Sequence, residues 1–249
     1  MQIIDFLSDP TLWNKADVLS PLAGKLIHNL PAGDTQKEIL TSLKDQFCIS
    51  QSMHFDAKEE IQQILKNASN ELQRHFNIRD VTVFIMGIDN SEKFVNQNLG
   101  GVRGYAWPKV VLLYLNPSRN WQSELFRTTL HELNHCQRYV WSDPYHTFLD
   151  WLIFEGLAEA FESEVSGISN NENVKDQTVA LFLPQMEKFW NTMPSDAGDW
   201  FAGNINRNLP VGLGYHIGHF LEKNFKSRNP TLKWSELIKI PSTEFVTSF

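Results

Sequence analysis

His131 and His135 stand four residues apart in the stretch HELNH, with Glu132 directly after the first. Imidazole nitrogens are good ligands for a divalent zinc ion. On an α-helix, two residues four apart are offset by only ~40° and about one turn, so both rings can reach one ion. A carboxylate beside them that does not bind the ion is placed to take a proton from water. The pentapeptide is a weak signal alone, because a random chain of this length and composition carries HExxH about once in sixty. Its surroundings decide. Leu125, Phe126, Thr129, Leu133, Cys136 and Val140 fall on a stripe roughly opposite the histidines. The spacing predicts a helix over about 121–141 with a core face and a separate histidine face.

A catalytic ion needs a third protein ligand, and DWLIFEGLAEAFESE (150–164) offers candidates. Glu155, Glu159 and Glu162 share one stripe of an otherwise apolar helix expected over 147–165. Such a stripe is either a solvent edge or the lining of an interior site, and periodicity leaves both open. Gly156 lies within this helix at a cost of ~1 kcal/mol relative to alanine. A glycine there marks close approach of another element, and the HELNH helix is the expected neighbour. In GYHIGHF, Tyr215 and His219 are one turn apart on one face, with His216 beside them. A phenol and an imidazole so placed can donate to a developing oxyanion; the plain alternative for Tyr215 is core packing. His28, His54, His75 and His146 belong to no such pattern and read as structural or exposed.

These groups must be held by a scaffold. Residues 1–78 read as helices. Ser8 or Asp9 caps a first turn containing Pro10, and capping boxes run from Thr35 to Glu38 and from Asp56 to Glu59. Ile61, Ile64, Leu65, Ala68, Leu72 and Phe76 form one apolar stripe. The pattern then changes to strands: VTVFIM (81–86), the glycine-rich GGVRGYAWP (100–108) and KVVLLYL (109–115). Further helices are expected over 174–191 and 212–226. A small sheet followed by helices is an α+β layout. Gly104–Trp107 reads as an edge strand to which an extended peptide can add by main-chain hydrogen bonds, and Pro108 fits an edge because it cannot donate.

Composition narrows the partners. With 42% hydrophobic residues, 17 Phe and 8 Trp, a packed core is available. The net charge of −7 argues against nucleic acid and acidic membrane surfaces. No apolar run approaches the ~18 residues of a membrane span. MQIIDFLSDP lacks the pattern of a secretory signal, and two cysteines fit reduced thiols, so a cytoplasmic setting is expected. Nothing in the sequence sets the oligomeric state or the cleavage preference.

HExxH followed, 20 residues after its second histidine, by the glutamate of EGLAE resembles the gluzincin clan of zinc metallopeptidases. Three segments, GGVRGYAWPKVVLLYLNP, EGLAEAFE and LPVGLGYHIGHFL, are similar to a family known only as predicted Zn-dependent proteases; together they span roughly 80–226. The sequence departs from that family at His219, where an aromatic is more usual. The resemblance implies a zincin-like fold over 79–249 behind an N-terminal helical region, 1–78, or one continuous unit. It implies one Zn²⁺ per chain on His131, His135 and Glu155, with Glu159 orienting a ligand imidazole. Glu132 would then be the general base, and Tyr215 with His219 the oxyanion donors, acting on a peptide or protein substrate. The rival readings are an inactive metal-binding regulatory or peptide-binding module, a closed structural zinc with a fourth protein ligand, and hydrolysis of a non-peptide amide.

Overall fold

Short β-branched and aromatic runs pair into one mixed sheet. In the computed structural model, which describes residues 1–5, 55–77, 80–168 and 176–247, the sheet has the order β1-β2-β4-β3. β1 is Gln2–Asp5, β2 is Thr82–Gly87, β3 is Val102–Trp107 and β4 is Val110–Leu115. β1 and β4 flank β2 in parallel, and β3 runs antiparallel to β4. The two central strands, TVFIMG and VVLLYL, are buried along their whole length, as continuous apolar runs require. The architecture is α+β. β3 closes one edge of the sheet, as expected, but Pro108 is not the reason. It lies in the turn to β4, where Lys109 takes a φ of 67°.

The described residues form two compact units, Met1–Cys136 and Gln137–Phe249. In the first, α1 (Lys58–His75) buries Ile61, Leu65, Ala68 and Leu72 of the expected stripe, while Ile64 is half-buried. Its start differs from the expected capping box. The N-cap is Ala57 and no side chain caps the helix, because the chain enters one residue later than a cap at Asp56 would require. The helix expected from the first residue also fails at Gln2–Asp5, which pair with β2. Its Ile-Ile core suits a strand, and the ladder that holds it lies some 80 residues downstream. The readings at Ser8, Asp9, Pro10, Thr35 and Glu38 lie outside the described residues.

α2 (Lys93–Asn98) leads into β3, and α3 (Gln122–Arg138) follows β4. A side chain on Gly100 would meet Glu124, one on Gly104 would meet Glu132, and Cys136 Sγ donates to Trp107 O at 3.2 Å. α3 therefore runs along β3 in the same direction.

The second unit starts in the last turn of α3. It contains α4 (Phe148–Ser166), α5 (Asp176–Met186), α6 (Asp199–Ala202), α7 (Leu213–Arg228) and α8 (Trp234–Leu237). Thr147 and Asp150 form a reciprocal capping box that starts α4, and Gly167 in the left-handed region ends it. Leu152, Ile153, Phe154, Leu157, Ala158 and Phe161 are no more than 2% exposed, so α4 is the core helix of this unit. α7 crosses it at Gly156 and Gly218. A Cβ on Gly156 would lie 2.1 Å from the Gly218 carbonyl carbon. The close approach that Gly156 signals is made by the GYHIGHF helix.

Candidate metal centre

α3 presents its histidines as the spacing predicts. The His131 and His135 rings lie 4.5 Å apart, centroid to centroid, nearly perpendicular. Behind them Leu125, Thr129, Leu133 and Cys136 are buried. Val140, expected on the same stripe, is 67% exposed, because the helix stops at Arg138. The Arg138 guanidinium turns instead to the C-terminal segment, donating to Ile238 O at 2.7 Å, Ile240 O at 2.8 Å and Ser242 Oγ at 3.2 Å. Burial lowers its pKa to about 10.

One imidazole nitrogen of His131, one of His135 and one carboxylate oxygen of Glu155 lie within 4.8 Å of one another. Ligands at ~2.1 Å around a tetrahedral ion sit ~3.4 Å apart, a spacing of the same order as that of these three atoms. The donor chemistry, two imidazoles and a carboxylate, suits zinc. Among the described residues, no fourth His, Cys, Asp or Glu joins the group. Cys136, adjacent in sequence to His135, points its thiol at Trp107 O and Val110 O, and burial followed by the Glu132 charge pushes its pKa well up.

Glu155 has a partner that sequence reading missed. Trp151, one turn earlier on α4, donates its indole N–H to Glu155 Oε1 at 3.2 Å. The Trp151 ring stacks on Phe201 with centroids 4.4 Å apart, and Phe201 meets Tyr215 edge-on at 5.1 Å. The i, i+4 spacing of Trp151 and Glu155 was the available signal. Glu159 is half-buried one turn beyond Glu155, and Glu162 is buried. Tyr215, His216 and His219 are half-buried on α7. Burial, then Lys223 and His216, lower the His219 pKa to about 4, and burial lowers that of His216. Both imidazoles are therefore neutral at pH 7, the form that can still donate one N–H. Glu132 lies within the first unit, buried, with its side chain directly against Gly104 of β3.

Two histidines of α3 and the carboxylate of Glu155 form a group that could hold a metal ion. The chain belongs to the family described as Predicted Zn-dependent protease (DUF2268), whose model matches residues 61–247. No curated protein and no solved structure matches it. Among the described residues, no helix is long and apolar enough to cross a membrane.

Proposed function

We propose that this chain is a zinc-dependent peptidase with a zincin-like, gluzincin-type centre, holding one Zn²⁺ on His131, His135 and Glu155. The observation that carries the reading is the convergence of those three ligand atoms within 4.8 Å, with Glu132 buried beside them in sequence yet outside the group. Zinc held there would supply a Lewis acid that polarises a carbonyl and brings the pKa of a water to ~7.

The remaining steps belong to the chain. Glu132 takes a proton from the attacking water and hands it to the departing amine. Tyr215, with the neutral His219, donates to the oxyanion as it forms. Glu159 accepts the outer N–H of a ligand imidazole and fixes its tautomer, while the Trp151 indole steadies Glu155. A substrate peptide adds to β3. Gly101 O accepts from Asn116 N at 2.8 Å, and pairing continues through Arg103↔Tyr114 and Tyr105↔Leu112. By antiparallel alternation, the N–H and C=O of Gly104 and Ala106 then face the open edge, where a peptide strand can pair. Cys136 is a free, buried thiol, which suits a cytoplasmic setting.

The test is elemental analysis of the purified chain together with cleavage of a peptide library, with and without chelator. One zinc per chain and chelator-sensitive cleavage are expected. Absence of bound metal after zinc loading at neutral pH overturns the reading.

A further inference from the structure

Gly104 is a glycine with no conformational reason to be one. Five glycines in the described residues take positive φ, and Gly104 is not among them. It sits in the middle of β3, where glycine weakens a strand because it orders the most flexible residue and packs no side chain. What occupies the missing side chain's place is Glu132. A Cβ built on Gly104 would lie 2.3 Å from Glu132 Cγ, 2.6 Å from Oε1 and 2.7 Å from Cδ. All three atoms belong to one side chain and none to backbone. Strand and helix could stay in place, but the carboxylate would have to leave its position.

We infer that the absent side chain of Gly104 is the notch that seats the Glu132 carboxylate, making Gly104 a positioning residue for the proton transfer. The inference rests on the peptidase reading for the role of Glu132. The neighbours of Gly104 sharpen it. Ala106, two residues on and facing the same side of the sheet, carries a side chain, so the face as a whole does not exclude one. Only the position over Glu132 does. The residue that offers its N–H and C=O to the substrate strand is also the one that leaves room for the base beneath. Peptide register and base position are thereby set by one point of the backbone.

The tests are Gly104→Ala, Glu132→Ala and the double variant, each loaded with zinc. Gly104→Ala displaces a base and no ligand. Its kcat on a peptide cleaved by the wild type should fall at least tenfold, towards the ~10²-fold that a misplacement of ~1 Å can cost. KM and the zinc dissociation constant, read by chelator competition, should stay within about twofold. An unchanged kcat, or a loss of zinc affinity as large as the loss of turnover, overturns the inference. The second readout needs no activity. Urea midpoints should show Gly104→Ala destabilising the wild-type chain, and that shift should shrink in the Glu132→Ala background, where all three clashing atoms are gone. A shift of equal size in both backgrounds shows that Gly104 serves packing elsewhere and overturns the notch. If the wild type cleaves no peptide, the peptidase reading fails, and the urea cycle still decides whether Gly104 seats Glu132.

Discussion

Glu132 and Glu155 differ in what each carboxylate can touch, and substitution should separate them. Glu132 is not one of the three converging ligand residues, so Glu132→Gln should keep zinc at wild-type affinity. It should lose turnover by the ~10²–10⁴ typical of general acid–base catalysis, measured as kcat on an identified peptide. A variant as fast as wild type would refute the base assignment. Glu155→Ala removes a converging oxygen and leaves two imidazoles, so zinc binding should largely disappear in a chelator competition. On the proposed roles, Glu159→Ala should weaken zinc or activity only ~10–100-fold, the loss typical of changing a ligand's neighbour and not a ligand. If Glu159→Ala abolishes binding and Glu155→Ala keeps it, the two roles are exchanged. Spacing alone could not have made this distinction, because both glutamates lie on one stripe of α4; of the two, Glu155 is the one in the group that could hold a metal ion.

At the scale of elements, the α4–α7 crossing makes the sharpest demand. Gly156→Ala would drive a methyl to 2.1 Å from backbone carbon, and Gly218→Ala would drive one to 2.0 Å from Leu152 O. Backbone cannot swing aside as a side chain can. Each substitution should cost at least the ~1–3 kcal/mol of ordinary overpacking, seen as a lower denaturant midpoint at unchanged slope. Gly198→Ala is the control: its φ is −59° and nothing lies within 4 Å of the added methyl. It should be neutral or stabilising by ~0.4–1 kcal/mol. A small loss at Gly156 comparable to that control would show that the helices do not meet there. These elements also mark how far the sequence could be read. The stripe of α1, the apolar runs of β2 and β4 and the two faces of α3 were legible because each is a local period against one buried side. The start at Gln2–Asp5, the partner of Gly156, the stop of α3 at Arg138 and the indole on Glu155 were not. Each is decided by a group distant in sequence or by a side-chain direction, and periodicity carries neither. Gly156 announced that something came close, but a missing side chain does not name its neighbour.

At the scale of the whole molecule, one buried and one half-buried group on α7 give stability opposite dependences on pH. Burial raises the Glu222 carboxyl to about 7, with Glu164 adding to the rise and Lys226 opposing it. The folded chain then holds a proton that the unfolded chain has released, so stability falls as pH rises from about 4.5 to about 7. His219, lowered to about 4, works the other way. Between about 4 and its ordinary value of 6.5 the unfolded chain binds the extra proton, so stability rises with pH. Each displacement, from 4.5 to about 7 and from 6.5 to about 4, is worth roughly 3 kcal/mol. The windows overlap from about 4.5 to 6.5, where the two effects largely cancel. Substitution should unmask them. Relative to wild type, Glu222→Gln should gain stability progressively from pH 4.5 to 7, because the cost of ionising a buried carboxyl is gone. His219→Gln should gain most near pH 4 and lose that advantage by pH 6.5. Taking each variant as a difference from wild type removes the titration common to both chains, including that of His131 and His135. Urea unfolding at half-unit steps from pH 4 to 8 reads the two curves. Parallel curves for wild type and Glu222→Gln would mean that the carboxyl titrates as it does in solvent, and that its burial on α7 carries no electrostatic cost.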